Sequence, residues 1–307
     1  MEKLFAKDFG IARNDYELME IQKNNSDYDH AYVTASCASN RRETKKWLEN
    51  LWRQYQTYAE PKFLKKIRRH SFHAHSWEMY IGVVLLDNAF NLVPNSGAGP
   101  DINFKLNKEK IAWIEATVTT PGEQQDAAGF PGSGAIYNSL DPRVSRITQS
   151  LTKKYNKFLE KYKNKITKEN EPFIVAINGT YTETLMGGRA IEAAVFARGN
   201  DVLRRLPTGK FRGGFYELRE EIPVNKKGKI INLPTNYFCT KDYEDISAII
   251  YCEDHIINCP KPRDDIGSNL YIAINSNAKN RVDGLFSFGT EIIMDENRRI
   301  IRKVNKK

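Results

Sequence analysis

Apolar residues at helical spacing, followed by two short β-rich runs, organise the first third of the chain. The helical stripe recurs at intervals of three and four and consists of Trp77, Tyr80, Ile81, Val84 and Leu85. This spacing predicts a helix with one face turned to a core. After it, residues 101–106 and 111–118 favour strands, and the polar residues 107–110 between them are typical of a turn. The pattern therefore predicts a helix followed by a β-hairpin.

Three acidic residues occupy defined places in this helix and hairpin. Glu78 flanks the apolar stripe, Asp101 opens the first strand, and Glu115 shares a face of the second strand with Trp113 and Thr117. Carboxylates brought together by a hairpin repel each other, and a hard divalent cation such as Mg²⁺, or Mn²⁺ in its place, relieves that repulsion. The alternative is that they are three ordinary surface acids among the 38 acidic residues of the chain.

The order of these residues resembles a known nuclease signature. Pro100-Asp101, followed fourteen positions later by Glu115-Ala116-Thr117, resembles the motif of the restriction-endonuclease-like PD-(D/E)xK nucleases, over roughly residues 70–180. The resemblance implies an α/β fold with a mixed central sheet flanked by helices. It also implies that Asp101 and Glu115 bind the metal and act in catalysis, with Glu78 as the glutamate of the preceding helix. The lysine of that motif is replaced by Thr117.

A basic helix after the hairpin offers a substitute for the missing lysine. Asp141-Pro142 is typical of a helix start, and the apolar stripe that follows consists of Val144, Ile147, Leu151, Phe158 and Tyr162. Some members of the nuclease superfamily carry the lysine on this helix, and by that resemblance Lys153 is the catalytic candidate. Arg146 and Gln149 become candidate nucleic-acid contacts. The alternative is a solvated basic helix face.

Three regions are expected along the chain. Residues 1–70 form an N-terminal helical region, residues 71–180 the nuclease-like core, and residues 181–307 a C-terminal α+β extension of the same compact domain. Apolar runs at residues 172–178, 246–251 and 270–274 predict further strands. The basic end of the chain, from Arg298 to Lys307, is expected to fray.

The charge balance indicates the class of partner. The formal net charge is +9, which favours a phosphate polyanion such as DNA. Arg68 and Arg69 end a segment from Arg41 with ten Lys/Arg against three Glu. Arg212 lies in the aromatic and basic run of residues 211–215, where base stacking is one interpretation. A solvated outer face and a turn beside the core are the corresponding alternatives.

Composition also bears on location and on the choice between functions. The sequence has no uninterrupted apolar run typical of a signal peptide or membrane span, and its four cysteines form no C-x-x-C pair. We therefore expect a cytoplasmic protein without a membrane partner, and a homodimer stays open. The favoured function is a metal-dependent nuclease acting on DNA, in restriction or defence by analogy of fold alone. The alternative is a catalytically silent nucleic-acid-binding or assembly module.

Overall fold

Helices form both the N-terminal region and the two layers that cover the sheet. The computed structural model describes residues 2–120, 140–179, 188–205, 207–226, 228–255 and 266–305. Its α-helices are α1 (Asp15–Asn24), α2 (His30–Cys37), α3 (Arg42–Tyr55), α4 (Phe63–Arg69), α5 (Phe72–Asp87), α6 (Asp141–Lys157) and α7 (Arg189–Val195). A π-helical turn, Phe158–Tyr162, continues α6. Among the described residues, the helices are too short or too polar to cross a membrane.

The strands form one large sheet and two separate hairpins. In chain order they are β1 (Asn91–Leu92), β2 (Ile102–Lys105), β3 (Ile111–Val118), β4 (Phe173–Asn178), β5 (Arg198–Arg205), β6 (Phe211–Leu218), β7 (Glu221–Lys226), β8 (Lys229–Pro234), β9 (Ile246–Cys252), β10 (Tyr271–Ile274), β11 (Thr290–Met294) and β12 (Ile300–Val304). The eight-stranded sheet has the order β1-β2-β3-β4-β9-β10-β11-β12. Among the described strands, β5 pairs only with β6, and β7 only with β8.

The centre of the large sheet is parallel and its flanks are mixed. β3 pairs in parallel with β4, and β4 in parallel with β9, whereas β2 runs antiparallel to β3. All six residues of β4 are buried, as expected for a strand covered on both faces by helices. The expectation of an α/β fold with a mixed sheet flanked by helices is confirmed.

Alternate residues of β3 serve two different apolar layers. Ala112, Ile114 and Ala116 belong to the layer that contains α5, while Trp113 packs with the layer that contains α6 and α7. Because successive side chains of a strand point to opposite faces, Glu115 lies on the α6 side. The sheet thus separates α5 from α6 and leaves Glu115 facing α6.

The C-terminal part departs from the sequence-based expectation at two places. The expectation that the basic end frays is wrong for Ile300–Val304, because this segment pairs with β11 as an antiparallel edge strand. Backbone hydrogen bonds to β11 order it, and Arg302 Nε also donates to the fully buried Glu192 at 2.5 Å. The hairpins β5–β6 and β7–β8 were not foreseen.

Candidate active site

The register of the β2–β3 hairpin places Asp101 beside Glu115. Ile102 pairs with Ile114, so the same register continued by one residue sets Asp101 opposite Glu115. The backbone N–H of Ala116 donates to Oδ2 of Asp101 at 2.7 Å. The two acids are therefore held together at the end of the ladder, where β2 begins.

A loop anchored by Asn95 fixes the backbone before β2. The side-chain amide of Asn95 donates to the carbonyl oxygens of Asp101 at 2.7 Å and Pro100 at 3.2 Å. The backbone N–H of Asn95 donates to the carbonyl of Tyr58 at 2.9 Å. Through Asn95, the N-terminal helical region determines where Asp101 lies.

Glu115 is fully buried and is paired with two lysines of α6. Lys154 Nζ donates to its Oε1 at 2.8 Å, and Lys157 Nζ contacts the same oxygen. Burial by itself lowers the pKa of Lys157, but the charge of Glu115 and the hydrogen bond to it outweigh burial and raise that pKa. The other carboxylate oxygen, Oε2, accepts no hydrogen bond from any described residue. An unpartnered buried oxygen of this kind is costly and suits a cation or a donor.

The prediction of Lys153 as the lysine beside Glu115 is corrected to Lys154 and Lys157. Lys153 is exposed on α6. Lys154 follows the buried Ile147 by seven residues, about two helical turns, and so lies on the side of α6 that faces the sheet. A lysine in register with the apolar stripe was the signal in the sequence, because a solvated lysine occupies the opposite side of an amphipathic helix.

Glu78 approaches from the opposite side of the sheet, on α5. It is buried, and the hydroxyl of Tyr55 donates to its Oε1 at 2.8 Å. Gly82, one turn along α5, makes this contact possible, because a Cβ at that position would lie 2.3 Å from Cε2 of Tyr55. Burial, followed by the charge of Asp101, raises the pKa of Glu78 well above its ordinary value.

Asp101 links the two sides of this arrangement. Burial, and then the neighbouring charge of Glu115, raise the pKa of Asp101 to about 6, although Lys154 and Lys157 act in the opposite direction. Burial and repulsion together therefore outweigh the attraction of the two ammonium groups. A group with a pKa close to neutrality can exchange a proton under physiological conditions.

The donor set suits a hard cation with two carboxylate ligands rather than three. Asp101 and the unpartnered Oε2 of Glu115 supply oxygen donors, and Mg²⁺ commonly takes one or two carboxylates together with phosphate and water. Across the part of the chain that the structure describes, no three His, Cys, Asp or Glu side chains form a metal-binding group. Glu78, hydrogen-bonded to Tyr55, is accordingly not placed as a third ligand.

The two candidate nucleic-acid contacts of α6 lie nearer the start of the helix than the lysines of Glu115. Arg146 is buried and donates from Nη1 to Oε1 of the exposed Gln149 at 3.4 Å. Arg146 precedes Lys154 by about 12 Å along the helix axis, at roughly 1.5 Å per residue. The structure therefore does not bring Arg146 and Gln149 together with the lysines of Glu115.

The remaining candidate arginines differ in their surroundings. Arg68 binds the N-terminal segment, donating to the carbonyl of Leu4 at 3.0 Å and to the carboxylate of Glu2 at 2.7 Å. This is a structural role, so the prediction of a nucleic-acid contact at Arg68 is not supported by its geometry. Arg69 is exposed on α4. Arg212 lies in β6, and its side chain is outside the described residues.

The site thus consists of two facing acids, a buried glutamate with its tyrosine on one side, and two lysines on the other. Comparisons with protein-family models, curated proteins and solved structures find no match to this chain.

Proposed function

We propose that the protein is a Mg²⁺-dependent nuclease that hydrolyses phosphodiester bonds in DNA, with its site at Asp101, Glu115, Lys154 and Lys157. The observation that carries the proposal is the buried Glu115, paired with two ammonium groups from a separate helix and adjacent to the half-buried Asp101. Phosphodiester hydrolysis needs negative ligands for a cation and positive groups for the phosphate at the same place. The restriction-endonuclease-like core and the resemblance to PD-(D/E)xK nucleases belong to this proposal.

Each side chain has a distinct role in the proposed reaction. Asp101 and Glu115 would hold the cation, which when bound supplies positive charge that neutralises the scissile phosphate. Lys154 and Lys157 reach the same carboxylate and can shift to the phosphate oxygens or to the attacking water, since a lysine presents three donors on a flexible stem. Glu78, buried and hydrogen-bonded to Tyr55, would influence the charge state of Asp101 from the other side of the sheet.

The proposal is tested by cleavage of a supercoiled plasmid after removal of metals and addition of Mg²⁺ or Mn²⁺. The parent protein should cut only with added metal, while Asp101→Asn and Glu115→Gln should each lose the activity by about 100-fold or more, as expected when a charge-stabilising group is removed. Glu20→Gln, which changes an exposed acid of α1, is the matched control. A parent that cuts with neither metal, or a double Asp101→Asn, Glu115→Gln variant that cuts normally, would overturn the proposal.

The lysines have a control on the same helix. Lys154→Ala and Lys157→Ala should each reduce cleavage while DNA binding is retained, whereas Lys153→Ala should cut like the parent because Lys153 is exposed. Equal losses in all three variants would indicate a general loss of positive charge. Normal cleavage by the Lys154→Ala, Lys157→Ala double variant would remove both lysines from the reaction.

A catalytically silent nucleic-acid-binding module is the second candidate, and one observation favours it. The two ammonium groups on Glu115 already neutralise this acid, so the site can be stable without a cation. Thr117 in the position of the motif lysine agrees with this alternative. Metal-independent DNA binding by a parent that never cuts would establish it.

A further inference from the structure

Positive charges cover the exposed face of α4 and of the residue before it. Residues 62–69 contain five Lys/Arg and no acid. Four of them are exposed at helical spacings of three and four, and we call this set the cationic face of α4: Lys62, Lys65, Lys66 and Arg69. Like charges at this spacing destabilise a helix. Among the described residues, only one member of the face, Lys66, has an acidic partner, Glu60.

The opposite face of α4 is fixed to residues of the candidate site. Phe63 and Ile67 are buried in the apolar layer that contains α5. The ring of Phe63 packs edge-on against Tyr55, the partner of Glu78, with 5.7 Å between ring centroids. It packs in the same way against His75 of α5, at 5.1 Å. Residues beside the acids therefore determine where α4 presents its cationic face.

One flank of α4 lies toward the loop that precedes Asp101. Lys66 on this flank contacts Glu60, and a Cβ on Gly97 of that loop would lie 3.6 Å from Oε2 of Glu60. The other flank bears Arg68, which binds the N-terminal segment. The cationic face is thus bordered on one side by the loop that leads into the site.

His75 lies near the positive charges of both α4 and α6. Burial lowers the pKa of His75, and the charges of Lys66 and Lys154 lower it further, against the opposing effects of the backbone of Ser71 and the charge of Glu60. Since charge interactions weaken with distance, both ammonium groups lie in the neighbourhood of this ring. The cationic face therefore adjoins the positive charge that Lys154 brings to the site.

We infer that the cationic face of α4 binds the phosphate backbone of double-stranded DNA beside the phosphate that is cleaved. From Lys62 to Arg69 the helix rises roughly 10 Å, at about 1.5 Å per residue. One DNA strand carries a phosphate about every 3.4 Å along the duplex axis, so the face can contact about three phosphates. Such contacts fix the register of a protein on the duplex without reading its sequence. This inference rests on the proposed function in taking DNA as the substrate.

The apolar residues of α4 distinguish this partner from an anionic membrane. A helix that lies on a membrane inserts its apolar side chains into the lipid. Phe63 and Ile67 are instead buried within the protein, and the half-buried Leu64 packs against the same apolar layer. The exposed part of α4 is cationic, which suits contact with phosphates and leaves nothing to insert.

Fluorescence anisotropy of a short labelled DNA duplex in EDTA, at a series of salt concentrations, tests the face without cleavage. The variant Lys62→Gln, Lys65→Gln, Arg69→Gln removes three of its charges. Each lost phosphate contact lowers the slope of log K against log salt by about 0.9, so this variant should lose about 2–3 in slope on duplexes of any sequence. Its melting temperature should not fall, because like charges are removed. The charge-conserving variant Lys62→Arg, Lys65→Arg, Arg69→Lys should bind like the parent.

A control elsewhere in the chain separates this inference from the nuclease proposal. Lys229→Gln, Lys241→Gln, Lys303→Gln removes three exposed charges from the C-terminal half and should keep the slope of the parent. An α4 variant with the slope of this control, or a parent that does not bind the duplex, overturns the inference even if the parent cuts plasmid DNA. A selective loss in the α4 variant supports it even if the parent never cuts.

Two other outcomes would also overturn it. An equal loss in the charge-conserving variant would mean that packing of α4, and not its charge, supports binding. Binding of the parent to phosphatidylserine vesicles that is lost in the α4 variant, while duplex binding is kept, would assign the cationic face to a membrane.

Discussion

Replacing Asp101 by asparagine is expected to stabilise the folded protein at alkaline pH while it abolishes the proposed cleavage. Asparagine keeps the oxygen that accepts the hydrogen bond of the Ala116 N–H, which is 2.7 Å long in the parent. The substitution removes the negative charge of Asp101, which the negative charge of Glu115 repels. Site residues that lower stability in this way are expected where function requires like charges to stay together.

The size of the effect follows from the pKa of Asp101. Burial and the charge of Glu115 raise it from 3.8 to about 6. Because the folded-state value is the higher one, the protonated form favours folding: this stability is fully present below about pH 4 and is lost as the pH rises through about 6. At about 1.36 kcal/mol per pH unit, the ionised Asp101 costs about 3 kcal/mol of unfolding free energy at pH 8.

Urea unfolding of the parent and of Asp101→Asn, at a series of pH values from about 4 to 8, measures this difference, since titrating groups that do not interact with Asp101 cancel between the two proteins. The variant should exceed the parent by about 3 kcal/mol at pH 8 and by well under 1 kcal/mol at pH 4. Asp283→Asn is a control of opposite sign, because the hydrogen bond from Arg281 lowers the pKa of Asp283. A partly exposed pair of this kind contributes less than about 1 kcal/mol, which is present at neutral pH and lost in acid.

A stability gain that is absent at pH 8, or that does not change between pH 4 and 8, would refute the reasoning. The first result would mean that Lys154 and Lys157 compensate Asp101 completely. The second would mean that the gain comes from packing rather than from titration. Saturating Mg²⁺ adds a further check, because a cation that binds only the folded parent stabilises it by about 2.7 kcal/mol at a hundredfold excess over Kd and should not stabilise the variant.

Two further substitutions probe the two sides of the site by urea unfolding. Gly82→Ala should lower the free energy of unfolding, because the added Cβ would lie 2.3 Å from the ring of Tyr55. Such overpacking costs about 1–3 kcal/mol, which exceeds the roughly 1 kcal/mol that alanine contributes to helix stability relative to glycine. A variant as stable as the parent would contradict this packing. The double Lys154→Met, Lys157→Met variant leaves Glu115 buried without its cations and should lose about 3–5 kcal/mol at neutral pH. An unchanged midpoint in the double variant would show that water or another cation replaces the ammonium groups.

The sequence was sufficient for elements whose signal is local. The apolar spacing around Trp77 and the period-two pattern of Ile111–Val118 predicted α5 and β3 because burial on one face imposes a fixed repeat. The start of α6 at Asp141-Pro142 was equally local, since proline is well suited to the first turn of a helix. These three elements, with β2 and β4, lie in the expected order along the chain.

Contacts between segments that are distant in the chain could not be predicted from the sequence. The resemblance favours Lys153, although the apolar stripe of α6 is in register with Lys154; that Lys154 and Lys157 both reach Glu115 depends on how α6 packs on a distant strand. The contact of Tyr55 with Glu78 joins two helices and depends on the space at Gly82. The order of Ile300–Val304 depends on its pairing with β11 and on Glu192, neither of which leaves a local signal.

The parallel pairing of β4 with β9 has a consequence for synthesis of the chain. β4 is buried along its whole length, yet its neighbour on one side, β9, is made only after the segments that form both hairpins. At about 5–20 residues per second, the ribosome takes roughly 4–15 s to reach the end of β9 after finishing β4. During that interval one edge of an apolar strand is unpaired, which is the situation in which chains aggregate or require a chaperone.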